Sequence, residues 1–396
     1  MTNFNGKQGC LKCTTVGEYS YVSHTVYFPR TGCEKRTDAG FRAKLYGSHH
    51  KQDSPLTLLP INMVEDFPIS DSLHLIDLGI IKRCLVGWRD GNFGNYKSKW
   101  CAKDILRVSN FLENCKMPLE IHRSVRGLDT LCYWKGTEFR TFLYYLGVVI
   151  LSDVLPIDVY QHYLKLFCAI TICSSNVYNK FLNLAEVLLN SYIEYFRDFY
   201  GEDYMSSNIH NLTHLVDEVR KFGPLQSFNS YPFENRLYQI KNLLRNGNLP
   251  LNQIAKRMSE IVQSEISLLP NDVKSNLNFP VLKNKKSDGF FYKIEFETFA
   301  LSQEKSDKWF LTTNNQVVAM KHVILKNGTP YISGSSVENL DNVFETPIRS
   351  SYLNIFKGIL GNTKASNFYP ITSIKSKLVA VEYGNEMFFF PLIHTL

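Results

Sequence analysis

Two pairs of residues in this chain have the types and spacings that bind metal ions. Cys10 and Cys13 form a C-x2-C pair, in which two thiolates can bind one zinc ion through a tight turn. His210 and His214 are four residues apart, so both imidazoles lie on one face of a helix. Thiolate sulfur and imidazole nitrogen together suit tetrahedral zinc. These four residues are therefore one candidate ligand set for a structural zinc ion.

Other donors close to the cysteine pair offer a local alternative. They are Cys33, His24, His49 and His50, all within the first 50 residues. Joining Cys10 and Cys13 to two histidines about 200 residues away depends on the fold and not on the spacing. The residue types alone leave both ligand sets open.

A second candidate site is the basic segment after Pro232. Asn229 or Ser230 can cap a helix that has Pro232 in its first turn and ends at Gly247. Glu234 is the only acid between positions 234 and 257, and the bases that follow it are Arg236, Lys241, Arg245, Lys256 and Arg257.

One face of that helix would carry Glu234, Lys241 and Arg245. A carboxylate beside a row of bases fits metal-dependent chemistry on a phosphodiester, in which the acid holds a divalent ion and the bases contact the DNA backbone. The alternative is an amphipathic helix with Glu234 at its N-terminus, where the helix dipole favours a negative charge.

Asp71 and His74 open a helical segment with a D-x2-H spacing. At this spacing the aspartate can bond the histidine or share a metal with it. Asp71 can also cap the helix that follows, and Asp77 is interpreted as a surface acid.

Hydrophobic periodicity changes twice along the chain. Residues 1–70 are rich in turn-forming residues, and residues 71–265 show helical spacing. Towards the C-terminus apolar and polar residues alternate, which predicts strands at 290–299, 309–311, 317–325, 378–383 and 387–392. We expect a polar linker over residues 266–288 between the helical and strand-rich parts.

Composition excludes several classes of protein. The hydrophobic fraction is 44%, which is enough for a packed core, and no apolar run is long enough to cross a membrane. Nine scattered cysteines and a start without an apolar signal predict a reducing compartment. The net charge of +7 is compatible with a polyanionic partner. Motifs for phosphate-loop, Rossmann and serine-hydrolase chemistry are missing from the sequence.

Several short motifs follow one another in a specific order over residues 8–260. They are the C-x2-C pair, FPISDSLHLIDLG at 67–79, WKGTEFR at 134–140, the H-x3-H pair, GPL at 223–225 and YPFEN at 231–235. This order resembles the transposases of the CACTA (En/Spm) class of cut-and-paste DNA elements, in the version common in animal genomes. The C-terminal strand-rich part also resembles the tail of such proteins.

The resemblance implies an α+β fold, with an incomplete RNase H-like core, a large helical insertion and a small β-rich C-terminal domain. The expected units are residues 1–70 (zinc knuckle and core remnant), 71–205 (helical insertion), 206–265 (zinc-histidine helix and last core helix), 266–288 (linker) and 289–396 (β-rich domain).

The resemblance also assigns roles to particular residues. Glu234 matches the third catalytic acid, and Asp71 and His74 match the D-x2-H motif. The bases that would contact DNA are Arg236, Lys241 and Arg245. Structural Zn2+ is assigned to a site formed by Cys10, Cys13, His210 and His214, and Mg2+ belongs only to an intact catalytic core. The implied location is the nucleus, with the cytoplasm as the alternative.

One departure from the family pattern bears on activity. In the family the first two catalytic aspartates precede the C-x2-C pair, whereas this chain begins nine residues before Cys10. We therefore expect a transposase-derived protein that binds DNA and does not cleave it. The alternative function is a zinc-stabilised interaction protein whose C-terminal β domain binds a partner. The sequence does not determine the oligomeric state or a target DNA site.

Overall fold

The computed structural model describes residues 2–93, 98–268, 279–359 and 361–396. Helices fill the first part of these ranges and an antiparallel sheet fills the last part, so the α+β class is confirmed. The strands described before residue 281 are two short ones, which pair with each other, β1 (Glu18–Ser20) and β2 (Thr25–Tyr27). This pair is not an RNase H-like sheet, and that core stays a prediction.

Ten α-helices lie in the described ranges, and a π-helical segment, Ser72–Ile81, leads directly into the second of them. Within the described residues, none of these helices is both long and apolar enough to span a membrane. The helices are α1 (Asp38–Arg42), α2 (Lys82–Asp90), α3 (Ala102–Asn114), α4 (Gly136–Thr141), α5 (Gly147–Val154), α6 (Ile157–Cys173), α7 (Leu182–Tyr200), α8 (Ser207–Phe222), α9 (Tyr231–Asn242) and α10 (Pro250–Leu268).

Helix α6 is at the centre of the helical part. Its residues are apolar on nearly all sides, and Leu164, Ala169 and Ile170 are fully buried, as expected of a helix without a polar face. Helix α7 packs along α6, and α8 packs along α7. This stacking fixes the position of α8, which carries both candidate zinc-binding histidines.

The last part of the chain forms one antiparallel sheet. Its main path runs β10-β8-β7-β6-β11-β12-β9, and β4 pairs with β3, β5 and β7. The strands are β3 (Val281–Lys285), β4 (Phe291–Glu295), β5 (Ala300–Ser302), β6 (Trp309–Thr312), β7 (Val317–Lys326), β8 (Thr329–Ser336), β9 (Phe356–Ile359), β10 (Asn367–Pro370), β11 (Ile374–Tyr383) and β12 (Glu386–Pro391).

The sheet shares a hydrophobic core with the helices. Along β11 and β12, side chains alternate between two faces, as strand geometry requires. Val379, Val381 and Phe390 belong to the same core cluster as α6, whereas Leu378 and Phe389 face a second cluster inside the sheet. The β-rich part is therefore packed against the helical part and is not a separate body on a tether.

The segment predicted as a linker, residues 266–288, contains regular structure where it is described. Helix α10 continues to Leu268, and strand β3 begins at Val281 and pairs with β4. Lys283 and Lys285 are strand residues that pair with Lys293 and Phe291 of β4, and the adjacent Leu282 pairs with the buried Ile294. Residues 269–278 of the linker lie outside the described residues.

Candidate metal centre

The structure brings Cys10, Cys13, His210 and His214 together. Their ligand atoms all lie within 4.8 Å of one another, and all four residues are buried. The Sγ atom of Cys10 is 3.4 Å from Nε2 of His214, and Sγ of Cys13 is 3.3 Å from Nε2 of His210. The two sulfur atoms are 3.7 Å apart. Within the described residues this is the only cluster of its kind.

The spacing of these atoms fits a tetrahedral zinc ion. With Zn–S bonds of about 2.3 Å and Zn–N bonds of about 2.0 Å, tetrahedral angles require S···S distances of about 3.8 Å and S···N distances of about 3.5 Å. The observed S···S distance of 3.7 Å and S···N distances of 3.3 and 3.4 Å are close to these values. The donor set and its geometry are those of a closed structural site, with four protein ligands and no open position.

The two thiols respond to each other electrostatically. The hydrogen bond with Cys13 lowers the pKa of Cys10 well below its ordinary value, and the same bond, with Cys10 as the partner, raises the pKa of Cys13. Cys10 is therefore the first of the two to become a thiolate. A divalent cation would stabilise both thiolates, since a bound metal dominates the local charge.

The cysteine pair is held by a short backbone ladder to the segment 34–36. Cys13 forms a β-bridge with Lys35, and the backbone N–H of Arg36 donates to the carbonyl of Lys12. The Arg36 side chain donates from Nε to the carbonyl of Cys10 at 3.1 Å. These bonds fix the turn that aims both sulfur atoms at α8.

One face of α8 carries the other half of the centre. His210, His214 and Glu218 follow at intervals of four residues, so all three point the same way. The buried Glu218 forms an ion pair with Lys12 at 3.0 Å and accepts hydrogen bonds from the backbone N–H groups of Ile69 and Ser70. Glu218 thus connects the cysteine turn, helix α8 and the start of the D-x2-H segment.

The aromatic ring of Phe28 stacks on His210, with 5.4 Å between centroids. The remaining ring nitrogen of His210, Nδ1, is buried and has no hydrogen-bond partner. In most zinc sites the second nitrogen of a ligand histidine donates to a protein group. Here Phe28 is the contact that orients the ring.

The local alternative ligands lie elsewhere. The Nδ1–H of the buried His49 donates to the carbonyl of Gln8 at 2.8 Å, and His50 packs against the ring of Phe41. His24 is in a tight turn with a positive φ of 51°. Cys33 lines a cavity beside the cluster and is not part of it. Of the two ligand sets that the residue types left open, the fold brings together the one with His210 and His214.

The D-x2-H pair and Glu234 meet at a second place. Asp71 caps the π-helical segment by accepting from the backbone N–H of His74, and its carboxylate also contacts Nδ1 of His74 at 2.6 Å. Nε2 of His74 is 3.5 Å from the Glu234 carboxylate. The two readings of Asp71, as a cap and as a partner of His74, are both realised.

Asp77 is not a surface acid, and that interpretation is wrong. It is 1% exposed and accepts a hydrogen bond from the Tyr231 hydroxyl at 2.8 Å. The reason is its position on the inward face of the π-helical segment, beneath the start of α9. Burial raises the pKa of Asp77 to about 7, with partial compensation by Arg140.

The basic helix is shorter than expected. Helix α9 starts at Tyr231 with Pro232 in its first turn, as predicted, but it ends at Asn242. A turn stabilised by Gln253, whose side chain bonds Asn246, separates α9 from α10. Arg236 and Lys241 lie on α9, whereas Arg245 lies in the turn, so the continuous face of Glu234, Lys241 and Arg245 is not formed.

Comparisons with known proteins concern the C-terminal part. Residues 275–392 match a family model described as Domain of unknown function (DUF8592). No curated protein and no solved structure matches the chain. The match covers less than half of the chain and assigns no activity to it.

Two residues that support the candidate metal centre, Glu218 and Lys12, were not identified from the sequence. Glu218 extends the four-residue spacing of His210 and His214, so the periodicity contained a signal for it. Lys12, its ion-pair partner, lies between the two cysteines and gave no such signal.

Proposed function

We propose that this chain is a DNA-binding protein derived from a CACTA-type transposase, built around a structural zinc site, and that it does not cleave DNA. The observation that carries the proposal is the meeting of Cys10 and Cys13 with His210 and His214. The C-x2-C and H-x3-H motifs of the resemblance together supply a complete set of four zinc ligands, although Cys13 and His210 are separated by 197 positions in the sequence. Zinc there would join the N-terminal turn to α8 and stabilise the fold.

A second contact supports the same proposal. Asp71, His74 and Glu234 belong to two further motifs of the resemblance, and His74 contacts both its near neighbour Asp71 and Glu234, which is far away in the sequence. The side chains of His74 and Glu234 are each more than half exposed. An exposed acid-histidine group beside a basic helix fits a surface that meets a DNA backbone.

The DNA-binding role rests on α9 and α10. Helix α9 has no buried residue, and Arg236 and Lys241 project from it into solvent. Lys256 and Arg257 extend the positive charge along α10. Neutralisation of phosphates by such bases releases counterions, so the affinity should fall steeply with salt.

We propose the lack of cleavage because the carboxylates of Asp71 and Asp77 are already engaged by protein groups. One oxygen of Asp71 accepts from the backbone of Ser230 and the other from His74, while Asp77 is buried against Tyr231. Among the described residues, these carboxylates and Glu234 do not form a metal-binding group of three. A two-metal centre needs carboxylates that converge on ions about 4 Å apart.

Zinc content tests the first part of the proposal. The purified chain is expected to hold about one zinc per molecule, and both Cys13→Ser and His214→Ala are expected to lose it. Cys33→Ser is the matched control and should keep its zinc, since Cys33 is outside the cluster. Loss with Cys13→Ser alone would point to a local knuckle, and an absence of zinc in the parent chain would contradict the site.

Duplex DNA binding tests the second part. The double variant Lys241→Glu/Arg245→Glu should lose retention on duplex DNA, whereas the exposed Lys103→Glu on α3 should not. Unchanged binding in the double variant would favour the alternative, a zinc-stabilised interaction protein. Nicking that needs Mg2+ or Mn2+ and disappears in Glu234→Gln would contradict the proposed lack of cleavage.

A further inference from the structure

The outer face of strands β7, β8 and β10 carries a strip of aromatic rings. His322 pairs with Ser333, and Ser333 pairs with Phe368, so these three residues form one row across the sheet. The next row contains Ile324, Tyr331 and Pro370. Directly paired residues of antiparallel strands point to the same face, so His322, Tyr331 and Phe368 share it.

A β-bulge turns His322 onto this face. The register of β7 shifts between Met320 and His322. Met320 and Val323 are buried in the cluster behind the sheet, whereas His322 lies on the opposite side. There it stacks on the exposed Phe290, with ring centroids 4.2 Å apart and an interplanar angle of 13°. Bulges commonly re-aim a side chain in this way near functional sites.

Lysines lie directly on the rings of the strip. Nζ of Lys326 is 3.8 Å from the centroid of Phe368 and 5.3 Å from that of Tyr331. At the other end, Nζ of Lys286 is 3.9 Å from the centroid of Tyr292, whose ring is 6.2 Å from His322. Asp288, which accepts from the Tyr292 hydroxyl, is the acid within this group.

The exposure of the strip is greatest at the two rings that a ligand would meet. Phe368 is 45% exposed and Phe290 is 36% exposed. Exposed phenylalanine rings on an open sheet face, together with the ammonium groups of Lys286 and Lys326, are an unfavourable surface for water and a favourable one for a flat anionic ligand.

We propose that this strip, formed by Phe290, Tyr292, His322, Tyr331 and Phe368 with Lys286 and Lys326, binds single-stranded nucleic acid. The rings offer stacking surfaces for unpaired bases, and the two ammonium groups offer contacts for phosphates. Bases in a duplex are already stacked and their faces are closed to these rings, so the strip selects single strands. This site is independent of α9 and of the proposed duplex binding there.

The test measures binding of fluorescent oligothymidylate, about 16 nucleotides long, to the full chain by anisotropy. Phe368→Ala is expected to weaken binding about tenfold, because one base loses its stacking partner. Phe368→Trp keeps a stacking ring and should keep the affinity. Tyr133→Ala, which removes an aromatic side chain that is 70% exposed in the helical part, is the control and should have no effect.

Salt dependence separates the phosphate contacts from the stacking contacts. Lys326→Gln should reduce the slope of log affinity against log salt by about 0.7, the value for one phosphate contact on a single strand. Lys103→Gln on α3 should leave the slope unchanged, and Phe368→Ala should lower the affinity without changing the slope. Near-ultraviolet circular dichroism of each variant checks that the sheet is folded.

Three results would overturn the proposal. The first is an unchanged affinity in both Phe368→Ala and Phe290→Ala, each shown to be folded. The second is displacement of the oligonucleotide by polyglutamate at equal charge concentration, which would assign the strip to acidic peptides. The third is a loss of single-strand binding in Lys241→Glu/Arg245→Glu equal to the loss of duplex binding, which would place both on α9.

Discussion

Single residues in this protein depend on partners that are distant in sequence. Asp77 shows this most clearly, since six residues before it the similar Asp71 caps a helix at the surface. The Asp77 carboxyl is covered by Tyr231, 154 residues away, and its pKa rises because it has lost water. Its neighbours in the chain gave no sign of this environment.

Asp77 predicts a pH dependence of stability. Burial raises its pKa from 3.8 to about 7, so the folded state binds a proton that the unfolded state has lost between these values. The free energy of unfolding should therefore decrease as the pH rises from about 4 to 7, by about 4 kcal/mol from this group. In Asp77→Asn this component should vanish.

Urea unfolding of the parent chain and Asp77→Asn, at several pH values across this window, measures the effect. The quantity to compare is the difference between the two proteins, because other titrating groups affect both equally. A constant difference across the window would contradict the buried, protonated state of Asp77.

At the scale of elements, α8 combines two functions on one face. His210 and His214 are aimed at the cysteines, and the next residue at the same spacing, Glu218, holds the backbone that leads into the D-x2-H segment. A single helix therefore connects the candidate metal centre to the group of Asp71, His74 and Glu234.

The coupling through α8 predicts an effect on zinc affinity. Glu218→Ala removes the partner of Lys12, which lies within the cysteine turn, and leaves two backbone N–H groups without an acceptor. We expect zinc affinity to fall by about tenfold, as when an outer partner of a metal site is removed. Competition with a chromogenic chelator measures the change.

Asp217→Ala provides the matched control for Glu218→Ala. Asp217 is the neighbouring acid on α8, but it pairs with Lys35 and Arg220 at the surface. Its loss should change zinc affinity little, because surface ion pairs contribute little. If both variants lowered zinc affinity equally, the loss would be due to the net charge of α8 and not to the contacts of Glu218.

At the scale of the whole molecule, the helical and strand-rich parts are joined by polar as well as apolar contacts. Lys377 on β11 is fully buried and forms ion pairs with Glu120 at 2.8 Å and Asp307 at 2.5 Å. Glu120 belongs to the helical part, and its other oxygen accepts from the backbone N–H of Ala300. The shared core and this buried group bind the two parts into one unit.

Replacement of Lys377 by methionine should be strongly destabilising. It leaves the carboxylates of Glu120 and Asp307 next to each other without their cation, and removal of one partner from a buried ion pair costs about 3–5 kcal/mol. Thermal or urea unfolding measures the loss. Lys305→Met, which removes the exposed partner of Glu382, is the control, and the prediction fails if both variants lose the same stability.

The sequence alone determined those features that depend on short-range periodicity. The alternation of apolar residues predicted strands at 309–311, 317–325, 378–383 and 387–392, which fall within or close to β6, β7, β11 and β12, and the turn and proline signals predicted the start of α9. The two halves of the candidate metal site were also found, because i, i+3 and i, i+4 spacings have local geometric meaning. Periodicity decides which side chains share a face, and this information is present in the residues themselves.

Tertiary structure decided everything that depends on which faces meet. It selected His210 and His214 over the nearer histidines, because the stacking of α6, α7 and α8 brings that face to the cysteine turn. It buried Asp77, ended α9 before Arg245, and packed the C-terminal sheet against the helices. Contacts between residues more than 100 positions apart depend on the packing of whole elements, which local spacing does not encode.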